Sequence, residues 1–583
     1  MKKENFLLSA TKTGLVGGAI AIFLCLIGMV EIFNKRDVIQ GIVTLGQFVW
    51  LATAVGAGYT ASQQTSHLLN GKKPAQNLTA GALAGFFSAA LTAFLVWLGS
   101  QTDLRAIFIN ASPALYELLT FGKGLAGLPQ LLIIGIISGI VGATFTLLPK
   151  AVQRPLLHAL MMLIFMALFS GIFRVVMINQ GNKWETLAKS IFSQTGLTQL
   201  GGWIFILGTI AISVFWSNRG EAVKASMARM PSKGKLSLRI LVFLIIAVIA
   251  LGLPQVSGPF IAQVIVIISL YILMGLGLNI TLGFAGLLDL GFVAFFAVGA
   301  YTVGLLTSYG PFGLQHISFW VAVPIAVLVS MAFGAFLGLP VLGVRGDYLA
   351  IATLGFGEII RLLAGSDFLA GYFGGPQGVI GIQKPCLGVL EPFIKLDTPR
   401  ICDGIEIGQG AADHFLAGPG GIYYLAIISA LLIAFVAWRL RESRLGRAWM
   451  AIREDEDVAE ALGVNLIQTK LLAYILGAAF AGLGGAIFSV LIGSIFASSM
   501  QLLVSINVVA LLVVGGMGSI PGVIVGAIAL IGLPELLREV SEFRYLIYGT
   551  VLIVMMLAKP EGLWPSQATK RELHHETSAQ GGD

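Results

Sequence analysis

Residues 439–460 read RLRESRLGRAWMAIREDEDVAE and separate two long apolar stretches. Half of these residues are charged, whereas charged residues are 11% of the whole chain. Because charge is costly inside a bilayer, the segment is expected in water between two membrane spans. The apolar residues that recur on one helical face are Trp449, Ile452, Ala459 and Leu462. Gly463 follows where a helix would stop, so the pattern predicts a short amphipathic helix. Such a helix either receives force from a separate motor protein or is a solvated loop helix without a partner.

The composition predicts an all-α polytopic membrane protein. Hydrophobic residues make up 57% of the chain and glycine contributes 73 residues. No soluble domain buries that much apolar surface, whereas helices of about 20 apolar residues fit a hydrocarbon core about 30 Å thick. Glycine suits such helices because it lets their backbones approach closely. The net charge of +7 is spread over short loops and one linker, so nucleic-acid binding is not indicated.

The apolar stretches predict about sixteen transmembrane helices, six of them N-terminal and about ten in a second domain. The predicted regions are a six-span accessory membrane domain at 1–216, a basic cytoplasmic linker at 217–237, a permease-like domain at 238–560 and a disordered cytoplasmic tail at 561–583. The linker is expected to be irregular, or to contain an interfacial helix over 221–230.

Lysine and arginine predict the orientation. With the N-terminus inside, thirteen of these residues up to Arg239 fall in inner segments and seven in outer ones. This excess favours a cytoplasmic N-terminus. Alternation of the spans then places 439–460 and the C-terminus on the cytoplasmic side of a bacterial plasma membrane.

Four separated stretches of the second domain carry a family resemblance. They are GLNITLGFAGLLDLGFVAFFAVGAYTVGLL (277–306), VRGDYLAIATLGFGEIIRLLAG (344–365), GRAWMAIREDEDVAEALGVNLIQTKLLAYILGAAFAGLGGAIF (446–488) and VVGGMGSIPGVIVGA (513–527). In this order they resemble the LivM-type permease of branched-chain amino acid ABC importers, over residues 238–565. Residues 1–216 resemble no family in this way.

The resemblance implies partners. These are a LivH-like second permease, two LivG/LivF-like ATPase subunits, an extracytoplasmic amino-acid-binding protein and the surrounding membrane lipids. It also implies that the charged segment docks the ATPases, through a pattern of Glu-Ala-Ala, three residues and Gly. Asp457, Val458, Ala459 and Gly463 stand at those positions. The predicted coupling residues are Arg447, Trp449, Ile452, Arg453, Glu454, Asp455, Asp457, Ala459 and Gly463.

The chain is predicted not to be an enzyme. It contains no GxxxxGK[ST] phosphate loop, so ATP is expected to be hydrolysed by partner subunits. Its six histidines and three cysteines are scattered, and no metal site, cofactor or nucleophilic catalytic set is predicted.

Four polar residues fall within the predicted permease spans or at their ends. They are Asn279, Asp289, Glu358 and Arg361. One interpretation is that they line the substrate path or form its gate. The other is structural: Asn279 bonds across helices, Asp289 caps a helix N-terminus and Glu358 pairs with Arg361. The family pattern has Ser-Leu-Gly-His where this chain has Asp289-Leu-Gly-Phe, so a role at Asp289 does not carry over.

Two further features have alternatives. The glycine runs at 482–485 and 515–518 indicate either helix breaks along a pathway or close packing of small residues. The outer loop 365–421 contains Cys386 and Cys402, a candidate disulfide if that face is oxidising. The loop is either a docking surface for the binding protein or a disordered excursion.

The sequence therefore predicts an ATP-driven permease subunit for branched-chain or related amino acids. The alternative is a gradient-driven secondary transporter or channel for small polar solutes.

Overall fold

In the computed structural model the chain is a polytopic, all-α membrane protein. The structure describes residues 2–68, 71, 73–229, 232–313, 317–341, 347–385, 419–536 and scattered positions from 543 to 565. It divides into two compact units, 1–247 and 248–583.

The first unit is a bundle of helices with one small hairpin. Its helices are α1 (Lys2–Leu26), α2 (Met29–Phe33), α3 (Leu45–Leu68), α4 (Pro74–Gln101), α5 (Pro113–Leu119), α6 (Leu128–Leu147), α7 (Lys150–Leu168), α8 (Ser170–Ile178), α9 (Asn182–Ile191) and α10 (Gln199–Arg229). Strands β1 (Asp37–Ile39) and β2 (Val43–Thr44) pair antiparallel. Glycines bring α4 and α6 into backbone contact, since a Cβ on Gly85 would lie 2.1 Å from the Gly135 carbonyl oxygen.

Of the two alternatives for the linker, the structure has the helical one rather than the irregular one. Helix α10 continues to Arg229, and α11 (Ser232–Leu278) begins three residues later. Residues 217–229 are therefore helical rather than irregular, because the helix that ends the apolar stretch continues into the basic sequence.

The second unit contains helices that are broken or short. After α11 they are α12 (Val293–Thr307), α13 (Phe319–Val341), α14 (Asp347–Ala364), α15 (Ala370–Phe373), α16 (Pro419–Glu442), α17 (Arg444–Glu454), α18 (Glu456–Ala461), α19 (Leu466–Ile492), α20 (Leu502–Gly515), α21 (Ile520–Ala527) and α22 (Leu533–Leu536). Two π-helical segments, Asn279–Phe284 and Ile528–Gly532, interrupt the series. Strand β3 (Val379–Ile380) pairs antiparallel with β4 (Ser494–Ile495) and so attaches the segment after α15 to the end of α19.

Ten helices among the described residues are long and apolar enough to cross a membrane, or eleven if one bent pair counts as a span. The count of about sixteen is not confirmed. Two predicted spans correspond to shorter apolar helices, Val293–Thr307 and Ile520–Leu536. The stretch named α11 consists of two helices joined at Gly258 (φ 81°, ψ 176°), which lies between Pro254 and Pro259.

Candidate functional site

The charged segment folds as two short helices rather than one. The Ser443 side chain caps α17 by accepting a hydrogen bond from the Gly446 amide at 3.2 Å. Asp455 is extended, and its Oδ1 accepts from the Asp457 and Val458 amides at 2.9 and 3.0 Å, so it ends α17 and caps α18. The predicted continuous helix is wrong at this residue, because the Asp455 side chain satisfies the amides that a continuing helix would have bonded.

Gly463 ends α18 as the sequence predicts. Its φ is 87°, a left-handed conformation that favours glycine. The Gly463 amide donates to the Glu460 carbonyl at 2.8 Å, and the Val464 amide donates to the Ala459 carbonyl at 3.1 Å. These two bonds form a Schellman motif, which fixes the direction in which the chain leaves the segment.

The apolar face of the segment packs against the chain itself. Trp449, Ile452 and Ala459 are buried, and the Trp449 Nε1 donates to the Thr469 carbonyl at 2.8 Å. Leu462 was predicted on the same face but is 78% exposed. The break at Asp455 explains this error, because residues after it no longer follow the helical period of α17.

An ion pair also anchors the segment to α19. Lys470 Nζ lies 2.6 Å from Glu456 Oε1, and Lys470 is only 4% exposed. Burial of a lysine is costly unless the charge is paired, so this contact ties α18 to the membrane helix that follows.

Two apolar and four acidic side chains are exposed at and beside α18. Val458 is 55% exposed and Leu462 is 78% exposed. Exposed carboxylates of Glu454, Asp455, Asp457 and Glu460 belong to the same short stretch. We refer to these six residues as the acidic face. Arg447, also exposed, bonds back to the Glu442 carbonyl at 3.0 Å.

The π-helical segment that follows α11 lies against the charged segment. Residues Asn279–Phe284 are π-helical and buried, apart from the partly buried Leu282, and Gly286 has φ 73°. Arg453 Nη1 donates to the Gly283 carbonyl at 2.8 Å. Asn279 Oδ1 accepts from the Gly518 amide at 2.9 Å, so Asn279 does bond between segments as the structural interpretation proposes.

Asp289 lies in the turn that precedes α12. Its Oδ1 accepts from the Gly291 amide at 2.9 Å, whereas Oδ2 has no partner among the described residues. Asp289, Thr353 and Tyr474 line a cavity of about 10 Å³, room for roughly one water-sized sphere. The bond to Gly291 orders the turn before α12 rather than capping the helix itself.

Glu358 and Arg361 pair with each other on α14. Arg361 Nε donates to both carboxylate oxygens of Glu358 at 3.0 Å. The side chains are 40% and 28% exposed, and the structural interpretation accounts for this contact. These two residues are therefore brought together, but not with Asn279 and Asp289.

Cys386 and Cys402 lie outside the described residues, so the disulfide stays a prediction. Within the part of the chain that the structure describes, no group of three or more His, Cys, Asp or Glu residues could hold a metal ion.

Comparison with known proteins identifies the family. Residues 260–557 match the model of the branched-chain amino acid transport system permease component. The chain belongs to this permease family. The high-affinity branched-chain amino acid transport system permease protein LivM of Salmonella typhimurium is 36% identical over 417 residues, covering 69% of this chain and 95% of the relative. LivM of Escherichia coli K12 is 35% identical, covering 72% and 95%.

A second, more distant group of relatives belongs to the partner class. LivH of Escherichia coli K12 is 29% identical over 140 residues, covering 24% of this chain and 45% of the relative. No solved structure matches the chain.

The LivM similarity reaches further than the four motifs. Coverage of 69% of 583 residues is about 402 residues, whereas positions 238 to 583 number only 346. The match therefore includes about 56 residues or more before position 238. Part of the N-terminal region, for which the sequence motifs indicated no family, thus belongs to the LivM-like portion.

Proposed function

We propose that this transport permease is the transmembrane subunit of an ATP-driven importer for branched-chain or related amino acids. Its partners in this proposal are a LivH-like permease, two LivG/LivF-like ATPases and an extracytoplasmic binding protein. The charged segment couples ATPase motion to alternating access of the membrane helices. Both termini lie in the cytoplasm, together with this segment.

The observation that carries the proposal is the construction of the charged segment. Its buried side is attached to α19 by Trp449 and by the Lys470–Glu456 pair. Its solvent-exposed side carries Val458 and Leu462 together with the carboxylates of the acidic face. Exposed leucine surrounded by charge is typical of a protein interface, because an apolar centre gives affinity and a charged rim gives orientation. A gradient-driven carrier working alone has no need of such a surface.

The acidic face should dock the ATPases. We expect Leu462→Asp to remove the two ATPases from the purified complex. The change replaces an exposed apolar side chain of the acidic face with a charged one. Glu460→Lys should weaken their retention as well. Glu442→Lys is the matched control, because Glu442 is also exposed but is the last residue of α16 and is not part of the acidic face. The measurement is the ATPase-to-permease ratio after affinity purification, with membrane insertion checked by the yield of the permease pair.

Full retention of the ATPases by Leu462→Asp would contradict docking at this face. A labelling experiment that placed a cysteine at Leu462 on the outer side of the membrane would contradict the proposed function as a whole. Gly463→Val should reduce retention too, because a β-branched residue cannot easily adopt the left-handed cap.

A further inference from the structure

Arg453 connects the charged segment to the interior of the second unit. It lies in the last turn of α17, and its Nη1 donates to the Gly283 carbonyl at 2.8 Å. Its stem lies over the turn after the π-helix, since a Cβ on Gly286 would be 3.1 Å from Arg453 Cγ. One side chain of the water-exposed segment thus holds a backbone carbonyl of an interrupted membrane helix.

Arg453 and the Gly283 carbonyl also lie beside a second helix break, at Gly518. A Cβ on Gly518 would lie 3.5 Å from Arg453 Nη1 and 3.4 Å from the Gly283 carbonyl oxygen. The Gly518 amide donates to Asn279 Oδ1 at 2.9 Å. The Arg453 guanidinium, the π-helix and the turn between α20 and α21 therefore meet at one place, which we call the Arg453 junction.

The backbone around this junction is suited to movement. Gly286, Gly516 and Gly518 have φ values of 73°, 113° and 74°. Hinges are a few residues that absorb changes in φ and ψ between rigid elements, and π-helical turns often mark functional sites. The Asn279 Nδ2 is buried and has no partner among the residues described, so it has a hydrogen bond available for a second arrangement.

Two other contacts attach the segment to α19. Trp449 and the Lys470–Glu456 pair fix it to α19. Because α17 and α18 are both attached to α19, a displacement applied at the acidic face also moves α17, and Arg453 is the side chain that passes it to the two breaks.

We propose that Arg453 is a positioning residue that transmits movement of the charged segment to the two broken membrane helices. This inference rests on the proposed function. Arg453 does not hold the ATPases in this account; it sets how much transport each hydrolysis event produces.

The test uses the complete complex in proteoliposomes with Arg453→Gln. Glutamine still reaches outward but has neither the charge nor the length to bond the Gly283 carbonyl. ATPase retention and basal hydrolysis should stay near wild type. Amino acid uptake per ATP hydrolysed should fall roughly tenfold, the scale expected when a charge-assisted hydrogen bond is lost from one of two states.

Two further variants make the result specific. Arg453→Lys keeps a cationic donor and should recover part of the coupling, whereas a purely packing role would not discriminate lysine from glutamine in this way. Arg444→Gln is the matched control, because Arg444 is an exposed arginine at the start of the same helix, α17, and is not among the predicted coupling residues. It should leave the uptake-to-ATP ratio within about twofold of wild type.

The inference is overturned if Arg453→Gln transports as many molecules per ATP as wild type, or if Arg444→Gln loses coupling equally. If glutamine prevents assembly, the lysine variant decides by the same ratio. Absence of ATP-driven uptake in the wild-type complex would instead refute the proposed function, which distinguishes the two failures.

Discussion

Two glycine runs in the second unit use the same residue in opposite ways. The run at 482–485 lies inside the regular helix α19 and packs against α12, where a Cβ on Gly485 would be 1.9 Å from the Phe296 carbonyl oxygen. The run at 515–518 ends a helix, and Gly516 and Gly518 have positive φ. The first run removes side-chain volume so that two helices touch, whereas in the second run Gly516 and Gly518 supply backbone conformations that other residues rarely adopt.

The difference separates a closely packed helix pair from two helix breaks that meet at one place. Close packing along α12 and α19 makes one rigid body. The breaks at Asn279–Phe284 and Gly515–Gly518 meet at the Arg453 junction, which is connected to the charged segment. Substitutions in the two runs should therefore fail for different physical reasons.

The largest effect is expected for Gly485→Ala. Its methyl group would overlap the Phe296 carbonyl oxygen, and neither backbone can yield without shifting a helix. We expect a loss of about 3 kcal/mol or more in stability, seen as a lower melting temperature and poor recovery of monodisperse protein.

Gly355→Ala is the matched control for this substitution. Gly355 also lies in a helix, α14, but a Cβ there would meet nothing within 4 Å. Alanine should be neutral or slightly stabilising there. Equal damage from both variants would mean that helix contact is not the purpose of the 482–485 run.

A smaller effect is expected for Asn279→Ala. The change leaves the buried Gly518 amide without its acceptor, at a cost of about 2 kcal/mol. Asn465→Ala is a useful comparison, because Asn465 also accepts from a backbone amide, Gln468 at 3.0 Å, but is exposed. Thermal unfolding of the purified proteins should show a lower melting temperature for Asn279→Ala than for Asn465→Ala. The reverse order would show that the hydrogen bond from the Gly518 amide to Asn279 contributes little to stability.

The smallest stability effect is expected for Gly518→Ala. Here a Cβ finds ordinary contact distances, 3.4 Å or more, so only the φ of 74° opposes alanine, at a cost of about 1 kcal/mol. Asparagine tolerates the left-handed region better and should recover part of the loss at Gly518, but none at Gly485. The measurement is the melting temperature of the alanine and asparagine variants at Gly518 and at Gly485. If asparagine were better tolerated than alanine at both positions, the two glycine runs would not differ in the way described.

The sequence was sufficient for some of these features. Composition predicted the membrane fold, the four motifs predicted the LivM-type family, and Gly463 predicted the helix end. Neither glycine run could be assigned from sequence, because packing and turning require the same residue and only the neighbouring backbone decides between them.

Other features depended on long-range or local competition. The exposure of Leu462 was missed because Asp455 caps a second helix, although an aspartate followed by an acidic first turn is a recognisable signal for a new helix start. The contact of Arg453 with Gly283 joins residues 170 positions apart, and no local pattern records it. The length of the LivM-like region was also underestimated, since its N-terminal part carries no motif of its own.

ATP-driven uptake by the reconstituted complex tests the central claim most directly. The permease pair, both ATPases and the binding protein would be placed in proteoliposomes, and entry of labelled leucine would be followed with ATP on the cytoplasmic side. We predict uptake that requires ATP hydrolysis and disappears with Leu462→Asp. Uptake driven by a proton gradient without ATP, and unchanged by Leu462→Asp, would contradict the account.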